Sequence, residues 1–253
     1  MDDTVEKDGN REEQQAARTR EPVFNLAGSV LALIIACVAI HLFRMYLLTS
    51  SQDSGLVLRL AFIPLRYSGE YAIDIYALVS PLTYSFLHGN FLHLGINMIW
   101  LAAFGSPLAN RIETGRFLLF WCLTVLAAVL LHYLLHPLDM TPVVGASGAI
   151  SGMMGAAARF AFRIDRREAK AAFDGPLLSM AEVVRSRNAM VFLGVWLLIN
   201  LATGLGFGGS DAIGQIAWEA HIGGFLGGFF GIALLDRDRS KPPTADEGTP
   251  PGT

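Results

Sequence analysis

The sequence predicts an all-α membrane protein, a bundle of six transmembrane helices with a first outer loop lying partly in the membrane interface. Charged residues make up 16% of the 253-residue chain and hydrophobic residues 53%, whereas a soluble domain is about a quarter charged. Six apolar segments follow one another, most of them long enough to cross a hydrocarbon layer of roughly 30 Å as helices. Lys and Arg concentrate in alternate loops, the asymmetry expected of a multi-pass chain.

Residues 1–22 are polar and aperiodic and read as a disordered cytoplasmic tail. Their acids argue against a secretory signal and against a mitochondrial transit peptide. Residues 23–235 form the helical domain, and 236–253, polar and proline-rich, read as a second disordered cytoplasmic tail. The first segment runs from about Phe24 to Leu48, with His41 and Arg44 near its end as interfacial anchors. Thr49 to Ala77 mixes Leu56, Val57, Leu58, Leu60, Phe62 and Ile63 with polar residues, the pattern of a structured piece lying partly in the interface. The second segment is Phe86 to Phe104 and the third Phe117 to Leu135, flanked by His132 and His136 as further interfacial residues. The fourth begins at Ser147 and ends near Phe162. At about 24 Å it is shorter than the bilayer core, so its outer end sits below the surface. The fifth is Met190 to Leu205, with Asn200 as an interhelical hydrogen bond, and the sixth is Ile213 to Leu235. Cys37 and Cys122 lie within apolar segments and read as core filler.

Six spans put both tails and the even-numbered loops on one side. That side holds Arg18, Arg20, Arg111, Arg116, Arg163, Arg166, Arg167, Lys170, Arg185, Arg187, Arg237, Arg239 and Lys241. The loops His136–Ala146 and Gly206–Ala212 hold no Lys or Arg, which places both termini in the cytoplasm. The first outer loop departs from the pattern, with Arg59 and Arg66. A net charge of −3 gives no reason to expect a nucleic-acid partner.

Small residues then mark where spans meet. Ser147, Ser151 and Gly155 share a face of the fourth segment, with Gly148 and Gly152 beside it, and Gly145 precedes it. His221, Gly224 and Gly228 share a face of the sixth. Small faces let membrane helices approach closely, so Ser147 and His221 can meet as a nucleophile and its base. His93 and Asn97, four residues apart in the second segment, face inward together. Polar groups at that depth are expensive without a purpose, and they can serve as oxyanion donors with the Ser147 N–H, which lies in the first turn of a helix. Taken singly, each signal is ordinary packing. Together they bring serine, histidine and two donors to the outer half of three spans.

In these residues the chain resembles the rhomboid intramembrane serine proteases. His88, His93 and Asn97 meet the pattern His-x-x-x-x-His-x-x-x-Asn, Gly145 and Ser147 meet Gly-x-Ser-x, and Ala220, His221, Gly224 and Gly228 meet Ala-His-x-x-Gly-x-x-x-Gly. The resemblance implies a rhomboid-like bundle over roughly Phe24 to Leu235, in a bacterial plasma membrane. It implies Ser147 as nucleophile, His221 as general base and then acid, and no acidic third member. His93, Asn97 and the Ser147 amide would stabilise the oxyanion, while His88 would be structural and tie the first outer loop. The implied substrates are transmembrane proteins cut beside a small residue near the outer end of a span, with no metal and no cofactor. Ser151 stands where some members carry a tyrosine against the catalytic imidazole, so another group must hold that ring. Glu219, two residues before His221, is read as reaching water from the outer end of its span, and its spacing makes it a poor third member of a triad. The rival reading is a non-proteolytic binder of transmembrane helices. A small-solute transporter is disfavoured, because no inverted repeat or broken span is visible.

Overall fold

The computed structural model describes residues 26–162, 175–206 and 217–236. Within them the chain is helical throughout, apart from turns and one isolated backbone bridge. Five helices are long and apolar enough to cross a membrane: α1 (Gly28–Leu47), α4 (Phe91–Ile112), α5 (Thr114–Leu135), α8 (Arg187–Gly204) and α9 (Trp218–Leu235). The short helices α2 (Ser50–Leu60) and α3 (Ile75–Thr83) lie in the connection between α1 and α4, and α7 (Met180–Arg185) precedes α8. The remaining helix, α6 (Ser147–Phe160), has 14 residues and rises about 21 Å. Every α6 residue except Ser147 and Met154 is buried, so this helix is the axis of the bundle.

Side-chain caps start most of these helices. Thr49 and Gln52 form a capping box on α2, as Ser179 and Glu182 do on α7. Asp74, Asn90 and Ser186 accept from Ala77, His93 and Ala189 N–H at the starts of α3, α4 and α8. Helix α4 runs well past Phe104, where the apolar pattern fades. A π turn at Leu101–Gly105 absorbs the missing N–H of Pro107 and lets the helix continue.

Glycine governs how α6 and α9 meet. A methyl on Gly224 would collide with the Gly148 carbonyl, and one on Gly228 with the Gly152 carbonyl. Gly155 packs in the same way against the Phe225 carbonyl. Backbone therefore touches backbone along two turns, an approach that only small residues allow. Helix α5 closes the third side: Gly223 lies against the Ala127 carbonyl and Gly152 against Thr124.

The connection between α1 and α4 is fastened at several points. Phe62 and Val143 exchange backbone hydrogen bonds of 3.2 and 2.8 Å, joining it to the segment before α6. The Arg66 guanidinium donates to the carbonyls of Leu58 and Arg59. His41 and Arg44 are not interfacial anchors. His41 is fully buried against Phe91, and Arg44 is buried between Asp53 of α2 (2.6 Å) and the His88 carbonyl (2.8 Å). A guanidinium with these acceptors need not reach water, which is why the sequence pattern misleads there. Asp236 belongs to the folded domain rather than to a tail, since Arg111 holds its carboxylate at 2.6 and 2.9 Å. Residues 1–22, Arg163, Arg166, Arg167 and Lys170, and the tail beyond Asp236 lie outside the described residues. Cys37 and Cys122 are free thiols.

Candidate active site

The site forms where α4, α6, α8 and α9 come together. Gly145 makes the turn into α6 with φ +124°, a region that disfavours side chains, and its N–H donates to the Tyr84 carbonyl at 3.0 Å. Ala146 is the N-cap, which makes Ser147 the first residue of α6. Its N–H is among those a helix leaves without an intrahelical acceptor.

His221 Nε2 lies 2.8 Å from Ser147 Oγ. The histidine is in the first turn of α9, whose described part begins at Trp218. Residues 213–216 lie outside the described part. The other ring nitrogen, Nδ1, lies 2.7 Å from Asn200 Oδ1 on α8. Asn200 Nδ2 donates to the Trp218 carbonyl at 3.1 Å. A carbonyl can only accept, so the NH₂ of Asn200 must face Trp218 and its oxygen must face the imidazole. Nδ1 of His221 therefore carries the ring proton, and Nε2 presents a lone pair to the Ser147 hydroxyl. That is the tautomer a general base requires.

His93 stands on the other side of the serine. A methyl built on Gly145 would lie 3.0 Å from His93 Nε2 and 3.5 Å from Ser147 Oγ, so the imidazole and the hydroxyl flank one glycine. The Gly89 N–H donates to His93 Nδ1 at 3.5 Å, which leaves the His93 proton on Nε2, the atom facing Gly145. Asn97 is buried on α4 and directs its amide nitrogen to the His93 carbonyl at 2.8 Å, which leaves its second N–H for another acceptor. The His88 ring is buried edge-on to His93, with centroids 5.3 Å apart. The link from this segment to α2 runs through Arg44 and the His88 backbone, and not through the His88 ring.

Two polar groups differ from their sequence reading. Asn200 does form an interhelical hydrogen bond, but its partner is the catalytic candidate itself. Glu219 does not reach out to water: it is buried, with one carboxylate oxygen 2.9 Å from His136 Nε2 and the other 3.7 Å from His132 Nδ1. It points to α5 and not to His221, as its two-residue offset requires. His132, expected at the interface, is buried as well.

Comparison with known proteins bears on the same region. The family profile of the rhomboid domain matches residues 76–237. The rhomboid protease GluP of Bacillus subtilis (strain 168) is 30% identical over 152 residues, covering 59% of this chain and 24% of that protein. The RHOMBOID-like protein 5 of Arabidopsis thaliana is 29% identical over 153 residues, covering 60% of this chain and 42% of that protein. The chain thus matches less than half the length of either relative.

Proposed function

Because the chain belongs to the rhomboid family, we propose that it is an intramembrane serine endopeptidase working through a Ser147–His221 dyad. In this reading α6 counts as a sixth span beside α1, α4, α5, α8 and α9, both termini are cytoplasmic, and water reaches the serine from the outer side. The substrate is a transmembrane protein whose span unwinds near its outer end, cut beside a small residue.

The chemistry follows from the proton positions. His221 Nε2 takes the Ser147 proton as Oγ attacks the substrate carbonyl. The imidazolium that forms keeps its Nδ1–H on Asn200 Oδ1, so the ring cannot rotate away during transfer. The oxyanion draws on His93 Nε2–H, the second N–H of Asn97 and the Ser147 N–H. Collapse of the tetrahedral species breaks the C–N bond, and His221 gives its proton to the leaving amine. Water then enters, loses a proton to the same nitrogen and hydrolyses the acyl-serine. Gly145 leaves room for the carbonyl oxygen between His93 and Ser147.

The 2.8 Å contact between Ser147 Oγ and His221 Nε2 carries this reading. Covalent labelling by a fluorophosphonate tests it. The wild-type chain is expected to label, and Ser147→Ala and His221→Ala are not. Folded wild-type protein that fails to label would instead favour a binder of transmembrane helices.

A further inference from the structure

A second cluster lies at the ends of α5 and α9. His132 lies in the last turn of α5 and His136 caps its end, its N–H donating to the His132 carbonyl at 2.9 Å, and Glu219 approaches them from the first turn of α9. One ligand atom from each of the three lies within 4.8 Å of the other two. His132 is only 4% exposed, yet neither of its ring nitrogens has a hydrogen-bond partner among the described residues. Such a group is costly unless something completes it. Its Nδ1 faces Glu219 at 3.7 Å and its Nε2 faces Asp139 at 4.0 Å, both too long for hydrogen bonds.

We propose that His132, His136 and Glu219 form a binding site for a divalent transition-metal ion, with zinc the best fit. Zinc bonds of about 2.0–2.2 Å put tetrahedral ligand atoms roughly 3.3 Å apart. One Glu219 oxygen lies 2.9 Å from His136 Nε2 and the other 3.7 Å from His132 Nδ1, and with one ligand atom from each residue within 4.8 Å of the others, small side-chain shifts bring the set to that spacing. Two imidazoles and one carboxylate suit zinc, nickel or copper better than calcium or magnesium. Asp139, 4.0 Å from the far ring nitrogen, stands where a carboxylate behind a ligating histidine does, and a small shift would let it accept from that N–H and fix the tautomer. His136, with 45% of its side chain exposed, provides the entry path and room for a water as fourth ligand. The ion joins α5 to the turn of α9 that holds His221, two residues beyond Glu219. The site does not depend on the proteolytic reading.

Calorimetric titration of the untagged full chain, chelator-stripped in detergent, with Zn²⁺ tests the proposal, and Co²⁺ absorption reports the geometry. About one ion per chain is expected, with tetrahedral Co²⁺ bands. His136→Ala alters a half-exposed side chain and is the variant most tolerant of substitution. It and Glu219→Gln should each weaken binding by about 100-fold or more, and Asp139→Asn by about tenfold. Ser147→Ala should bind as wild type does, which separates this site from the dyad. The absence of saturable uptake, or uptake unchanged in both His136→Ala and Glu219→Gln, would overturn the assignment.

Discussion

Asn200 does for His221 part of what a buried carboxylate does in a Ser-His-Asp triad: it fixes the tautomer and holds the ring. It does so without a formal charge. An ionised acid beside the ring at membrane depth would carry a desolvation cost that an amide dipole avoids. The imidazolium gains less electrostatic stabilisation in return. Asn200→Ala should therefore lower kcat about 10- to 100-fold, equivalent to roughly 1.4–2.7 kcal/mol of barrier, with KM little changed. Fluorophosphonate labelling should slow in parallel while the thermal midpoint moves by only a few degrees. A fall in thermal stability with kcat intact would make Asn200 a packing residue only. The chain pattern marks this asparagine as an interhelical hydrogen bond but does not name its partner. Ser147, His93 and His221 are legible because each sits in a local spacing motif. The role of Asn200 depends on how α8 is rotated against α9, and that rotation leaves no trace in residue order. The same is true of Glu219, whose histidine partners lie more than eighty positions away.

The contact between α6 and α9 sets the separation of the dyad, because each helix contributes one member from its first turn. Their glycines are specific in effect. At Gly224 and Gly228 an added methyl meets a carbonyl of the facing helix, and backbone cannot swing aside as a side chain can. The helices must part, and proton transfer fails once the heavy atoms leave hydrogen-bond range. Gly224→Ala is accordingly expected to abolish labelling and to lower the thermal midpoint, with Gly228→Ala weaker because it lies a turn farther from Ser147. Gly231 is the control: no atom lies within 4 Å of a methyl there, so Gly231→Ala should behave as wild type. Equal behaviour of Gly224→Ala and Gly231→Ala would show that close packing is not what aligns the dyad. At this scale the sequence is informative. The apolar segments give most helices within a few residues, and the small-residue faces give their meeting lines. The extension of α4 past Phe104 is hidden because a π turn has no hydrophobic signature, and Arg44 deceives because its acceptors come from two other segments.

Helix α8 is the least buried of the five described spans. Only 11% of its apolar stretch is buried inside the protein, against 44% for α9, and among its residues only Ala189 and Asn200 are buried. Rings supply the rest of its attachment: Trp196 stacks on Phe225 at 4.2 Å, and Phe192 meets Phe104 of α4 at 6.0 Å. In the proposed proteolytic reading, a substrate helix arriving from the lipid would part α8 from α4 at little cost, which makes this seam the expected entrance. The helix that must move also carries the group that orients His221. Opening wide enough to admit a helix would loosen the Asn200 bond, so entry and activation of the base work against each other until the substrate is seated. Cysteines at Phe104 and Phe192, joined by a short thiol linker after replacement of Cys37 and Cys122, separate the two steps. The cross-linked protein should cut membrane-embedded substrate at least about tenfold more slowly. Its fluorophosphonate labelling should stay within about twofold of the uncross-linked form, because the small probe arrives from water and the Asn200–His221–Ser147 chain is intact. Full turnover after cross-linking would move the entrance elsewhere, whereas loss of labelling as well would mean that the linker distorts the site.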